Sequence, residues 1–168
     1  AIFYGSDDTS TGDAILEMLK AASPSGLKYS RRIVFDGKKV SHAITVSDVH
    51  YGVDLWALAL DGISGLISAL DHIRDSVSSQ DSDSHSGLVV FYSAGHMSRK
   101  MLQAISLHSG RHPSARVKLV FWIATHSLSA LPVCMRRDYT MHFVKPKAGV
   151  VSWREKAATS VADALVRE

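Results

Sequence analysis

Residues 88–124 read LVVFYSAGHMSRKMLQAISLHSGRHPSARVKLVFWIA, two apolar runs with a helical pattern between them. Leu88 to Tyr92 is continuous, and Val117 to Ala124 is broken only by Lys118. Side chains of a strand alternate between its two faces, so a strand stays apolar throughout when both faces are covered, as inside a parallel sheet. Between the runs, Ser98 to His108 reads as a helix with Met101, Leu102 and Ile105 inward. Strand, helix, strand is a crossover unit, and such units wind right-handed into a parallel sheet covered on both faces.

The same alternation extends in both directions. Ile15, Leu16, Met18, Leu19 and Ala22 make a helical stripe, opened by Ser10-Thr11-Gly12-Asp13 with capping-box spacing and stopped near Ser23-Pro24. Arg31 to Phe35 and Lys38 to Val46 flank Asp36-Gly37, a hairpin signal expected to extend the sheet's far edge antiparallel. Ile63, Leu66, Ile67, Leu70, Ile73 and Val77 form the most regular amphipathic helix. Ser78 to Gly87 has the composition of a solvated connection. Thr140 to Val144 reads as a last strand and Arg154 to Val166 as a last helix. The pattern predicts an α/β fold, a three-layer sandwich on a mainly parallel five-stranded sheet, with strands near 1–4, 42–46, 88–93, 118–124 and 140–144. No repeat or linker divides residues 1–168, so one domain is expected.

Composition narrows the class. The 168 residues are 46% apolar and 21% charged, with a formal charge of +3 and nine histidines. That is ordinary for a globular domain and too weakly basic to imply a polyanionic partner by itself. Cys134 is the only cysteine, which excludes a disulfide framework. No apolar run approaches the ~18 residues of a membrane span, and Ala1 to Tyr4 is too short for a signal sequence. No membrane partner and an intracellular location are expected, whether cytoplasmic, nuclear or virion-associated. A start inside a strand without Met suggests an excerpt of a longer chain.

FYGSDDTSTGDAILEML, residues 3–19, begins like a phosphate-binding loop: an apolar strand, Gly5, a polar turn to Gly12, then a helix. The phosphate-handling letters are missing. Asp13 follows Gly12 where lysine is needed, Ala14 stands where a hydroxyl would hold magnesium, and Gly5 to Gly12 is two residues too long. Asp7, Asp8 and Asp13 would each repel a bound phosphate by something on the order of a kcal/mol. The loop reads as dead for hydrolysis, and two readings of it remain: a polar loop that caps a helix, or a site that keeps residual nucleotide binding.

The stretch from Ser86 to Val144 resembles the centre of AAA+ ATPases of the clamp-loader type, the replication factor C small subunits and the bacterial delta-prime subunit. Leu88 to Tyr92 matches their Walker B strand, Phe121-Trp122-Ile123-Ala124-Thr125 their sensor strand, and Leu131-Pro132-Val133-Cys134-Met135-Arg136-Arg137 their arginine segment. Val46 to Asp54 resembles the segment after their second strand, where a polar turn precedes a helix. With the opening loop, the likeness covers most of residues 1–145. It implies a P-loop NTPase-like sheet in the order 5-1-4-3-2. It also implies a helical lid after the last strand, which this chain would carry truncated or not at all. Active members hold magnesium and orient water with Walker B carboxylates; here Ser93 and Ala94 stand at the matching places. Some large DNA viruses carry a similar degenerate domain.

Other constellations carry less. His108-x-x-x-His112 has zinc spacing, but Gly110 and Pro113 break the helix it would need. Ser47, His50 and Asp54 lack the G-x-S-x-G elbow of a hydrolase triad, and Asp54 reads as the start of the next helix. No catalytic residue, cofactor or metal is expected. Basic residues recur at Arg99-Lys100, at Arg111 and Arg116, and at Arg136-Arg137. The resemblance implies that the helix starts can face a DNA backbone and that Arg136 or Arg137 can reach a neighbouring subunit; a solvated basic rim fits them equally. Trp153, beside Val150 and Val151, is a candidate contact for another chain, or folds back on the core. The implied function is a non-catalytic, architectural subunit of a larger assembly of the DNA-handling or viral kind, with other protein subunits and DNA as partners. The alternative is an enzyme of another doubly wound family with a ligand at the strand C-terminal ends, where Gly5, Ser47-Asp48, Ser93 and Thr125-His126 are offered.

Overall fold

A computed structural model of the chain describes residues 1–79, 86–108 and 117–145. Seven strands, β1 (Ile2–Tyr4), β2 (Arg31–Asp36), β3 (Ser41–Val46), β4 (Tyr51–Asp54), β5 (Ser86–Tyr92), β6 (Lys118–Thr125) and β7 (Met141–Phe143), form one sheet in the order β2-β3-β4-β5-β6-β1-β7. β4, β5, β6, β1 and β7 run parallel, while β3 lies antiparallel to both of its neighbours. The connections carry α1 (Asp8–Ala22), α2 (Leu55–Leu58), α3 (Gly62–Ser78), α4 (Arg99–His108) and α5 (Val133–Asp138). Among the described residues, no helix is long and apolar enough to cross a membrane.

The α/β class and mainly parallel sheet stand, but the expected count of five strands and their order do not. The strand beside β5 is Tyr51–Asp54, in parallel register with Tyr51 opposite Val89, and Ser41–Val46 lies one place further out, antiparallel. Four residues with Gly52 among them are too short to show a period, so this strand reads as a polar turn in sequence. Its side chains nonetheless enter the core: Tyr51 and Val53 are buried. The Asp36-Gly37 signal does mark a hairpin, paired from Arg31 opposite Val46 to Asp36 opposite Ser41, at the sheet's edge.

The run of β5 behaves as sequence required, whereas in β6 the face of Lys118 and Val120 stays exposed, so that run is covered on both faces only toward its end. Val89 and Phe91 join the core under α3 and α4, while Val90 joins a second cluster with Phe3, Ala124 and the α1 residues Ile15 and Leu19. Burying one such side chain contributes about 1.5–3 kcal/mol, so covering both faces of β5 counts twice. In α3, Leu66, Leu70, Ile73 and Val77 are buried, whereas Ile63 and Ile67 stay about two-fifths exposed. The six-residue stripe is therefore a correction: Gly65 and Ala69 fill the packed arc beside Leu66 and Leu70, and the two isoleucines turn outward.

Candidate functional site

The parallel strands all end on one side of the sheet, and the first structure met there is the start of α1. The connection from β1 is only Gly5-Ser6-Asp7, and Gly12 lies inside the helix. The phosphate loop expected to reach Gly12 is thus absent, and the helix cap lies three residues before the predicted one at Ser10. Asp7 takes extended backbone geometry and caps the helix itself, accepting from the Ser10 amide at 2.7 Å and from the Ser10 and Ser6 hydroxyls at 2.9 Å each. The Ser10 amide bond is the main reason that the Asp7 carboxyl is held below the ordinary carboxylate range, with the two hydroxyls adding to it. Amides that would receive a phosphate at this position are turned onto the protein's own carboxylate. Gly5 has no room for a side chain, since a Cβ would stand 2.9 Å from Thr11 Oγ1 and 3.0 Å from the Val144 carbonyl.

Asp8, the first residue of α1, faces the other way and meets two histidines. His126 Nδ1 donates to Asp8 Oδ1 at 3.0 Å, and His96 Nε2 lies 3.2 Å from Asp8 Oδ2. The two imidazoles lean on each other with ring centres 4.6 Å apart, and Trp56 packs its edge against His96 at 5.5 Å. Asp8 is 27% exposed, His96 48% and His126 31%, so solvent and small ligands reach them. His126 follows the last residue of β6, and His96 closes a 3₁₀ turn, Ala94–His96, just after β5. That turn is entered through Ser93, whose φ of 62° is left-handed, a conformation uncommon for a residue with a side chain. Gly95 is needed between the rings, because a Cβ there would meet the His126 ring at 2.6 Å.

A second polar cluster lies at the opposite rim, where β4 begins, so Ser47-Asp48 does not stand at the strand C-terminal ends where the sequence pattern places it. Ser47 Oγ and His50 Nδ1 share a 2.6 Å hydrogen bond inside a tight turn closed by the Ser47 amide on the His50 carbonyl. Burial is the main cause that keeps His50 below its ordinary value, and the charge of Asp48 opposes it. Asp54, the third member weighed for a triad, is elsewhere in role: it caps α2 by accepting from the Trp56 amide at 3.0 Å. Ser47 and His50 do meet, which spacing alone did not suggest, but His50 is buried and, among the described residues, no carboxylate hydrogen-bonds to its ring. Asp48 ties the turn to the end of α1, accepting from Ser23 Oγ at 2.6 Å and Ser25 Oγ at 2.8 Å.

On the α1 side of the sheet, the face of β2 to β4 forms an open groove of about 680 Å³, lined among others by Arg32, Val34, Ala43, Thr45, Gly52 and Tyr92. Burial pushes the Tyr92 hydroxyl up to about 12, so it stays protonated as a donor.

Of the residues singled out in sequence, Arg99 and Lys100 are exposed at the start of α4, and Arg136 and Arg137 are exposed on α5. Arg137 Nε donates to Asp138 at 2.8 Å. Arg111, Arg116, His112, Trp153 and the helix expected over 154–166 lie outside the described residues. Asp8 and His96 were missed because only the fold unites them with His126; the signal available was their position after strand ends. Comparison with models of known families finds no match, and comparison with curated proteins finds none.

Proposed function

We propose that the chain is a non-catalytic P-loop-fold domain of the AAA+ clamp-loader type, an architectural subunit of a larger DNA-handling assembly. The observation that carries it is the start of α1, where Asp7 takes up the Ser10 amide and hydroxyl, on the helix end that a nucleotide phosphate would need. The sheet supports the fold reading. Counted among themselves, the five parallel strands stand 5-1-4-3-2 once Tyr51–Asp54 is taken as the second, with α1 on one face and α3 and α4 on the other, a three-layer sandwich. Exposed apolar side chains support a protein partner: Trp56, Leu60, Ile63 and Ile67 step along the α2–α3 segment. Arg99, Lys100 and Arg136 supply charge for a nucleic-acid backbone. Such a subunit works inside the cell or a virion.

The test is steady-state phosphate release from ATP with magnesium. Wild type and Asp13→Lys are both expected at background, because no carboxylate stands at Ser93 or Ala94 to hold the metal and water. Turnover by either protein overturns the reading. A second reading, an enzyme of another doubly wound family, draws its support from the Asp8, His96 and His126 group at the strand ends.

A further inference from the structure

Asp8, His96 and His126 each offer one ligand atom, and the three atoms lie within 4.8 Å of one another. We propose that they form a binding site for a single first-row divalent cation, zinc foremost. Neither reading above is needed for it.

The chemistry of the donor set favours a cation of this class. Two imidazole nitrogens and one carboxylate suit zinc and its neighbours, whereas magnesium and calcium prefer oxygen throughout. The spacing agrees. A tetrahedral ion with bonds of about 2.0–2.1 Å holds its ligand atoms roughly 3.3 Å apart. The carboxylate already reaches both nitrogens, Oδ1 at 3.0 Å from His126 Nδ1 and Oδ2 at 3.2 Å from His96 Nε2, and one ligand atom from each residue falls within 4.8 Å of the others, so a small shift closes the set. In the metal-free protein His126 Nδ1 hydrogen-bonds Asp8 and His96 Nε2 stands beside its other oxygen; the ion takes the place between them, and neutral imidazoles turn lone pairs toward it. Among the described residues, no lysine or arginine pairs with Asp8, so a bound cation meets no built-in competitor. Asp7 lies next to Asp8 in the chain and adds negative potential.

The backbone is shaped to bring the ligands together. Gly95 leaves the space into which the His126 ring fits, and the left-handed Ser93 turns the chain so that His96 faces back over the end of β6. The group also lies where the chain's winding reverses. From β1 the chain leaves through α1 on one face, and from its neighbour β6 it leaves through α5, whose Met135 is buried in the cluster on the other face. Crevices of doubly wound sheets open at such points. Three protein ligands with partial exposure leave a fourth position to water or to a ligand atom, the arrangement of an open rather than a closed site.

The experiment is a calorimetric titration of chelator-treated protein with zinc chloride alone, on wild type, Asp8→Asn, His96→Ala, His126→Ala and His142→Ala. One equivalent binding at micromolar Kd or tighter is expected in wild type and His142→Ala, with at least tenfold weakening in each of the other three. Cobalt is the second readout: wild type shows visible ligand-field absorption on titration, and Asp8→Asn does not. If a histidine variant fails to fold, the cobalt spectrum of the folded Asp8→Asn protein decides. Absence of zinc binding below about 100 μM, or binding equally tight in Asp8→Asn and the two histidine variants, overturns the site.

Discussion

His50 is a base shut inside a turn, and burial makes its charged form costly. Its folded value lies below the ordinary imidazole value, so the unfolded chain binds the proton more readily. The stabilisation is therefore complete above about pH 6.5 and is lost as pH falls toward the folded value. Wild type is expected to melt several degrees higher than His50→Gln at pH 7.5, and the gap should shrink by pH 5.5, since only wild type pays for protonating the ring. Calorimetric melting at both values checks this, and a gap independent of pH contradicts it. The bond to Ser47 was not legible in sequence, because Ser-x-x-His marks equally well a turn or two unrelated surface residues.

At the scale of elements, the start of α1 makes the sharpest statement. If Asp7 is the cap, Asp7→Ala costs about 0.5–2 kcal/mol and Asp7→Ser recovers most of it, read by chemical denaturation. An effect confined to Ser10→Ala, with none at Asp7, would restore the predicted start three residues later. Sequence placed two of this helix's packed residues and its end, because Ile15 and Leu19 bury while Ser23 and Pro24 stop it, but Met18 and Ala22 of the expected stripe are exposed and Thr11 packs instead. It misplaced the beginning, since Asp7-x-x-Ser10 and Ser10-x-x-Asp13 carry the same capping pattern. Strands followed a similar rule. β5 and β6 were readable because their apolar runs are long, although Val120 of β6 stays exposed, whereas β4 has too few residues for any period to show.

For the whole molecule, the alternation of apolar runs and helical stripes sufficed for the α/β class, while the strand order was an implication of resemblance. The site was the least legible part. Asp8, His96 and His126 lie far apart along the chain and converge only because β1, β5 and β6 end side by side. Arg99 and Lys100 stand at the start of a helix as expected, while Arg136 and Arg137, expected only in a segment before the last strand, lie on α5; all four are exposed, yet exposure alone does not distinguish a partner surface from a solvated rim. The account as a whole turns on whether the end of the sheet accepts a nucleotide. Titration of the purified chain with ATP and magnesium, followed by calorimetry, tests this most directly. Affinity no tighter than millimolar is predicted, because Asp7 holds the Ser10 amide and Asp8 and Asp13 repel phosphate. A micromolar dissociation constant at one equivalent would contradict it.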